Sequence, residues 1–409
     1  MSNLDYISDT LPNGLRLVHL PVDSPVAYCG LAVNAGTRDE RPDEMGLAHF
    51  VEHMLFKGTD KRRSWHILNR MENVGGELNA YTTKEETFIY SIFMEEHFGR
   101  ALELMADLAL NARFPAREIE KEVEVILDEI NSYEDSPSEL IFDEFENLLF
   151  KGHALGHAIL GDERSLLTFN TASGRGFMDR YYVPANMLLF SMGRMDFRRI
   201  RRMAMEWLGA ADRPMAPRER IAPPPVAAVS ERVAKETHQA HVLLGGRAYS
   251  LHDDRRVALF LLNNLLGGPG MNSRLNVALR EREGLVYTVE SNITSYTDTG
   301  VATIYFGTDP KKLDKALRLT RRELALLRER RLTTTRLAAA KKQLMGQLGV
   351  ASDNRESLFL GLGKSFLHYN RYDTLPEVFA QIDRLTADDV LAAANEVFDP
   401  AALSCLIYE

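Results

Sequence analysis

A strand, a short charged turn and an amphipathic helix follow one another twice in this chain, which restricts its fold to two copies of one unit. Asn79 to Phe93 (NAYTTKEETFIYSIF) is followed by a helical stretch containing Arg100, Ala101 and Leu102. Tyr296 to Phe306 (YTDTGVATIYF) is followed by Lys315, Ala316 and Leu317. Tyr90 to Ala101 and Tyr305 to Ala316 each span 11 residues, at an offset of 305 - 90 = 215. Between the copies lies GAADRPMAPRERIAPPPVAA, residues 209 to 228, rich in Pro and Ala and without hydrophobic periodicity, as a linker should be. The division that follows is an N-terminal domain at 1–210, a linker at 211–228 and a homologous C-terminal domain at 229–409. A length of 409 residues agrees, being too long for one ordinary core.

Within each half, apolar runs of strand length such as VAYCGLAV (26–33) and TFIYSIF (87–93) alternate with helical patterns such as EIEKEVEVILDEI (118–130). The fold class is therefore α+β, with sheets covered by helices in both domains. The helix at 118 follows Pro115, carries glutamates in its early turns where the helix dipole favours anions, and places Val123, Ile126, Leu127 and Ile130 on one stripe that should be buried. Cys29 and Cys405, the only cysteines, each sit in an apolar stretch and read as small buried strand residues.

Forty-nine basic against 58 acidic residues give a net charge of -9, which argues against nucleic acid as partner, since a phosphate backbone needs clustered Lys and Arg. A basic ligand would be favoured instead. The chain has no apolar run near the 18 residues of a membrane span and no signal-peptide pattern at MSNLDYISDT, so a cytoplasmic location is expected.

The pentapeptide His49-Phe50-Val51-Glu52-His53 lies between Gly46 and Gly58 with no internal helix breaker, so a helix is expected there. Four residues make about one turn, and both imidazoles then project from one face and can share one Zn²⁺, with Glu52 close enough to take a proton from metal-bound water. The order is H-x-x-E-H, the inverse of H-E-x-x-H. Standing alone it is a moderate signal, because two histidines on a helix need not be ligands. A catalytic zinc requires a third protein ligand, and Glu122 and Glu129, seven residues apart on one helix face, are the candidates. His153 and His157 in GHALGH are also four apart, but the glycines there disfavour a regular helix and both read as structural. The run GGPG at 267–270 lacks the Lys-Ser/Thr of a P-loop and reads as a turn.

These residues resemble the M16 peptidases, the family of pitrilysin, insulin-degrading enzyme and the catalytic subunit of the mitochondrial processing peptidase. The resemblance spans nearly the whole chain and is strongest in GLAHFVEHMLFKGT (46–59), GGELNAYTTKEETFIY (75–90) and EIEKEVEVILDEI (118–130). It implies two homologous domains, each a mainly antiparallel sheet covered by helices, and one zinc per chain held by His49, His53 and a glutamate about 76 residues further on; 129 - 53 = 76 selects Glu129. Glu52 then activates the water, and Glu122 matches a glutamate that supports the ligands. In the C-terminal half, GGPGMNSRLNVALREREGLVYTVES (267–291) resembles the family's substrate-contacting segment, whose Arg and Tyr fall on Arg280 and Tyr287. Such groups could hydrogen-bond a substrate carbonyl and the tetrahedral oxyanion.

The family binds peptide as an extended strand added to a sheet edge, which carries over onto Asn79, Ala80 and Tyr81. Phe56 falls at the position of an apolar pocket residue. Glu139 and Asp143 match an acidic pair that reads arginine in the mitochondrial subunit, against the plainer reading of a solvated helix face. The implied activity is a zinc metalloendopeptidase acting on peptides or unfolded polypeptides. Because the family's closed chamber takes four such domains, a homodimer is implied, or a heterodimer with a related chain. The competing account is a non-catalytic structural or substrate-capturing subunit of such a heterodimer, and the completeness of His49, Glu52, His53, Glu122 and Glu129 argues against it.

Overall fold

The computed structural model describes residues 6–235 and 237–409. They form two compact units. The first takes residues up to Ser132, His157–Arg220 and Ser352–Thr374, and the second takes Tyr133–Gly156, Ile221–Ala351 and Leu375–Glu409.

The first unit is built on a six-stranded sheet. Its strands are β1 (Ile7–Thr10), β2 (Arg16–Pro21), β3 (Val26–Val33), β4 (Glu77–Thr82), β5 (Thr87–Met94) and β6 (Met187–Gly193), in the order β1-β2-β6-β3-β5-β4. All neighbours are antiparallel except β2 and β6. β3 is an unbroken apolar run because both of its faces are covered. Ala27, Cys29, Leu31 and Val33 face the main core, while Tyr28 and Ala32 point the other way into a cluster with Phe359, Leu362 and Phe366. The period of two thus sorts one strand between two cores. At its centre Gly30 is obligatory, since a Cβ there would meet the Phe190 ring at 2.4 Å.

The second unit repeats the plan with five strands: β7 (Ser230–Val233), β8 (Ala240–Ala248), β9 (Val286–Ser295), β10 (Gly300–Thr308) and β11 (Ser404–Tyr408), ordered β7-β11-β8-β10-β9. Again one pair, β7 with β11, is parallel and the rest antiparallel. The helices after β5 and β10, Phe98–Asn111 and Leu313–Glu329, begin 215 residues apart, the offset read from the sequence.

The compact units cross the boundary expected at 211–228. Helix Pro137–Leu149, from the N-terminal half, lies in the second unit, where Ile141, Phe145 and Leu149 cover Leu243, Leu406 and Tyr408. Helix Arg355–Tyr369, from the C-terminal half, covers the outer face of the first sheet, with Phe359 stacked on Phe190 at 4.5 Å. Each sheet has an apolar face its own half leaves open, and the helix of the other half fills it. The proline-rich stretch has no regular structure, yet its first part is fastened to the first unit. Arg220 holds Asp39 through two hydrogen bonds (3.0 and 2.8 Å), Arg218 reaches the Asn34 carbonyl, and Arg213 reaches that of Leu110.

Both cysteines are buried strand residues, as expected. Among the described residues no helix is long and apolar enough to cross a membrane.

Candidate metal centre

The H-x-x-E-H stretch forms the helix Leu47–Leu55. Gly46 precedes it with a φ of 89°, and a Cβ there would lie 2.6 Å from the Leu160 carbonyl, so only glycine fits. No side chain at Gly46 can cap the helix. The buried Glu40 does so from a distance, accepting hydrogen bonds from the N–H groups of Gly46 (2.9 Å) and Ala48 (2.7 Å). His157 Nε2 holds the same carboxylate at 2.9 Å, and Lys84 donates to the His157 carbonyl. His157 is therefore structural, as its glycine-rich surroundings suggested, and it serves the helix that bears the candidate ligands.

Across from this helix runs Ala116–Glu134, which buries Ile119 and Ile126 in the main core, with Val123, Leu127 and Ile130 packed beside them. Glu122 and Glu129, on the flank of that face, come to the histidines. His53 Nε2 and His49 Nε2 lie 3.6 and 3.8 Å from Glu129 Oε2, and the donor atoms of the three residues all fall within 4.8 Å of one another. Those separations exceed a hydrogen bond and are close to the about 3.4 Å edge of a tetrahedron of N and O ligands around Zn²⁺. Among the described residues this is the one such group of His, Cys, Asp and Glu. The donor set fits the ion.

The surroundings act on the two imidazoles in opposite directions. Burial, reinforced by the neighbouring His53, pulls His49 down to about 3, so the ring is neutral at pH 7 with a lone pair to offer. Burial also works against a charge on His53, but the hydrogen bond to Glu122 and the charges of Glu129 and Glu52 outweigh it and raise its pKa. His53 Nδ1 stands 3.1 Å from Glu122 Oε2, an arrangement that directs Nε2 toward Glu129. Burial would raise Glu122; its bonds to His53 and to Lys57 Nζ, at 2.6 Å, reverse the balance and hold it ionised.

Glu52 lies alongside these ligands. Burial raises its pKa, opposed by the Thr82 hydroxyl and His53, and its Oε2 is buried without a hydrogen-bond partner. The Tyr182 hydroxyl, also buried and unpartnered, is raised first by burial and then by the charge of Glu52. An unsatisfied buried carboxylate oxygen is costly, and such groups concentrate where a substrate or water is to be bound.

The remaining expected residues divide between the units. Asn79, Ala80 and Tyr81 lie in β4, the terminal strand of the first sheet, paired with Tyr90, Ile89 and Phe88 on one side and with no strand on the other among the described residues. Phe56 follows the motif helix and is half-buried against the main core. Arg280 and Tyr287 come together in the second unit, the guanidinium 5.8 Å from the ring centre, lining a cavity of about 430 Å³ with the Gly267–Met271 turn. Arg280 lies in a short π-helical turn, Asn276–Glu281, and Tyr287 is 82% exposed. Glu139 and Asp143 stand on helix Pro137–Leu149, also in the second unit.

Three residues around the motif helix escaped the sequence reading. Lys57 sits four residues after His53, a spacing that could have marked it as a neighbour of the site. Glu40 and Tyr182 arrive from elsewhere in the chain, with no local signal.

The descriptions of known families agree with this layout. Residues 18–163 match the family model described as insulinase, peptidase family M16, and residues 168–344 match that described as the peptidase M16 inactive domain. The first match contains the whole His49, Glu52, His53, Glu122 and Glu129 set. The uncharacterized zinc protease YmxG of Bacillus subtilis is 33% identical over 391 residues, covering 95% of each chain. An uncharacterized zinc protease of Streptomyces coelicolor is 33% identical over 95% of this chain and 86% of its own. In structure the chain resembles a protease from Helicobacter pylori (TM-score 0.90, 21% identity, 99% of each chain covered) and a peptidase M16 inactive domain from Pseudomonas fluorescens (TM-score 0.92, 21% identity, 99% of this chain and 98% of that one). With two M16 domains and relatives of this identity along its length, the chain belongs to peptidase family M16.

Proposed function

We propose that this protein is a zinc-dependent endopeptidase that hydrolyses peptides or unfolded polypeptides. The carrying observation is the buried Glu52 oxygen without a partner, next to a His49, His53 and Glu129 set whose spacing suits Zn²⁺. The zinc protease names of the relatives support the same reading. A metal held only for structure would not need a spare carboxylate beside it.

Zinc bound there, one per chain, would supply Lewis acidity toward a scissile carbonyl and an acidified water. The protein's own part is proton handling and positioning. Glu52, its pKa raised by burial, accepts the water's proton and returns one to the departing amine. Glu122 keeps His53 oriented and is itself held by Lys57. The open edge of β4 at Asn79–Tyr81 accepts the peptide backbone as an added strand, which reads extension more than sequence. Phe56 and the acidic pair Glu139 and Asp143 are the proposed side-chain readers, the latter for a basic residue. Arg280 and Tyr287 are the proposed contacts to the substrate carbonyl and its oxyanion. The family resemblance adds a dimer enclosing the substrate, either a homodimer or a pair with a related chain, and the lack of a membrane-span run or signal-peptide pattern in the sequence supports a cytoplasmic setting.

The test is hydrolysis of a quenched fluorescent peptide library containing basic residues, with and without chelator, by wild type and Glu52→Gln, with metal analysis of both. Glu52→Gln should keep its zinc and lose roughly 10³-fold or more in kcat, within the range of general acid–base contributions. Zinc-loaded wild type that cuts nothing would favour the non-catalytic subunit account.

A further inference from the structure

The stretch that joins the two halves carries Arg213, Arg218 and Arg220, and arginines in a segment without periodicity ordinarily lie in solvent. Two of these do not. The side chains of Arg218 and Arg220 are 15% and 12% exposed, and both converge on Asp39, whose side chain is 1% exposed. Arg220 grips that carboxylate with both prongs of its fork, Nε to Oδ1 at 3.0 Å and Nη2 to Oδ2 at 2.8 Å, and Arg218 stands 3.3 Å from Oδ1. Arg220 also donates to the Glu85 carbonyl at 2.8 Å and lies 3.5 Å from the Glu85 carboxylate. One guanidinium thus spans two segments, Gly36–Glu40 and the turn between β4 and β5.

Both segments lead to the metal centre. Glu40, the neighbour of Asp39, caps the motif helix through the N–H groups of Gly46 and Ala48, and Ala48 directly precedes His49. The β4–β5 turn closes the strand that carries Asn79–Tyr81, the proposed peptide edge. The two segments are themselves docked, with the Thr37 and Arg38 N–H groups bonded to the Thr83 and Lys84 carbonyls at 3.2 and 2.7 Å. A simple tether needs no such target. Arg213, in the same stretch, fastens instead to the Leu110 carbonyl at 3.3 Å and to Asp179 at 3.6 Å, neither of them in these segments. A guanidinium removed from water is costly unless its donors are matched, and one partner removed from a buried pair leaves the other charge uncompensated. Without Arg220, the buried Asp39 would lose its two shortest bonds to a cation and shift toward water, carrying Glu40 with it.

We propose that Arg220 is a positioning residue for the metal centre. Through Asp39 and Glu40 it fixes the start of the motif helix, and with it His49, so that the stretch joining the two halves takes part in holding the metal. The inference rests on the zinc reading of His49, His53 and Glu129.

Zinc affinity of the full chain, measured by competition against a chelator at a temperature where circular dichroism shows the proteins folded, tests the proposal without reference to hydrolysis. Arg220→Ala should weaken zinc binding about tenfold or more, the low end of the range for residues that orient a metal ligand. Asp39→Asn should weaken it similarly, and the double variant no further than the stronger single one, because both substitutions cut one chain of contacts. Arg220→Lys places a point charge that cannot bond both Asp39 oxygens and the Glu85 carbonyl together, so its affinity should fall between those of wild type and Arg220→Ala. The Lys variant carries the test should Arg220→Ala fail to fold. Arg213→Ala, which loosens the same stretch elsewhere, should bind zinc as wild type does. An unchanged affinity in both Arg220 variants overturns the proposal, as do additive losses in the double variant or an equal loss in Arg213→Ala. Wild type that takes up no zinc removes the metal-centre reading and this inference with it, so the wild type alone tells the two failures apart.

Discussion

The two units follow one plan and spend it differently. In each, a helix precedes the terminal strand of the sheet: Leu47–Leu55 before β4, and Arg256–Gly267 before β9. The first presents His49, Glu52 and His53. The second, RVALFLLNNLLG, buries Leu259, Leu261, Leu262 and Leu266 and fastens Asn263 to Ser291 through two hydrogen bonds. The long helix that follows in the repeat differs in the same sense. Ala116–Glu134 buries Glu122, whereas Thr334–Ala351 buries Ala340 and Leu344. Both copies bury apolar faces on these helices, and the first adds ionisable groups, His49, Glu52, His53 and the buried Glu122, at the edge of that face. Fold is held in common, while the candidate metal ligands and Glu52 lie in one copy and the Arg280–Tyr287 pair in the other.

The largest expected effect breaks that contrast outright. Replacing His49 by Ala removes one of three ligands, and the second unit has no set to replace it among the described residues. Zinc per chain, measured by elemental analysis after dialysis, should fall from about one to near zero, with all hydrolysis lost. Zinc retained at full stoichiometry would place the metal elsewhere and remove the contrast between the copies.

Glu122→Gln sharpens it. The amide keeps the shape, but the negative charge shared by His53 and Lys57 is gone. Competition against a chelator should show zinc affinity lower by about 10- to 100-fold, as for other residues that orient a metal-bound histidine. An unchanged affinity would mean that Glu122 is only a salt-bridge partner of Lys57.

Much of this was legible in the sequence because its signals are local. Strand β3 coincides with VAYCGLAV and the motif helix lies between the two glycines that bound it, since periodicity and breakers act over a few residues. The seven-residue spacing of Glu122 and Glu129 placed both on one helix face, as found. The exchange of helices Pro137–Leu149 and Arg355–Tyr369 was not legible. Each is an ordinary amphipathic helix in sequence, and which sheet it covers depends on the complementarity of surfaces hundreds of residues apart, such as Phe359 against Phe190. The remote cap from Glu40 was hidden for the same reason, because nothing in the chain near Gly46 states where its N–H groups find an acceptor.

The exchanged helices supply a last contrast, between a charged and a mostly apolar seam. Helix Pro137–Leu149 meets its sheet through Ile141, Phe145 and Leu149, with Tyr296 donating to Glu146 at 2.7 Å and Lys235 beside Glu144 at 3.7 Å. Helix Arg355–Tyr369 adds a buried clamp: Glu86, at the start of β5, holds Lys364 at 2.7 Å and His368 at 2.5 Å. Burial alone would raise the Glu86 pKa, but the His368 hydrogen bond and the Lys364 charge bring it from 4.5 down to about 2. A carboxylate held below its ordinary value binds fewer protons folded than unfolded, so its stabilisation is complete above that value and vanishes as pH falls through the folded one. At pH 7 the clamp should be worth roughly 3 kcal/mol, from 1.36 kcal/mol per pKa unit. Urea unfolding of wild type and Glu86→Gln should therefore differ by about this much at pH 7, and the gap should narrow between pH 4.5 and 2. A gap that stays constant down to pH 2 would mean that shape and not charge seats this helix, and the two seams would then be alike.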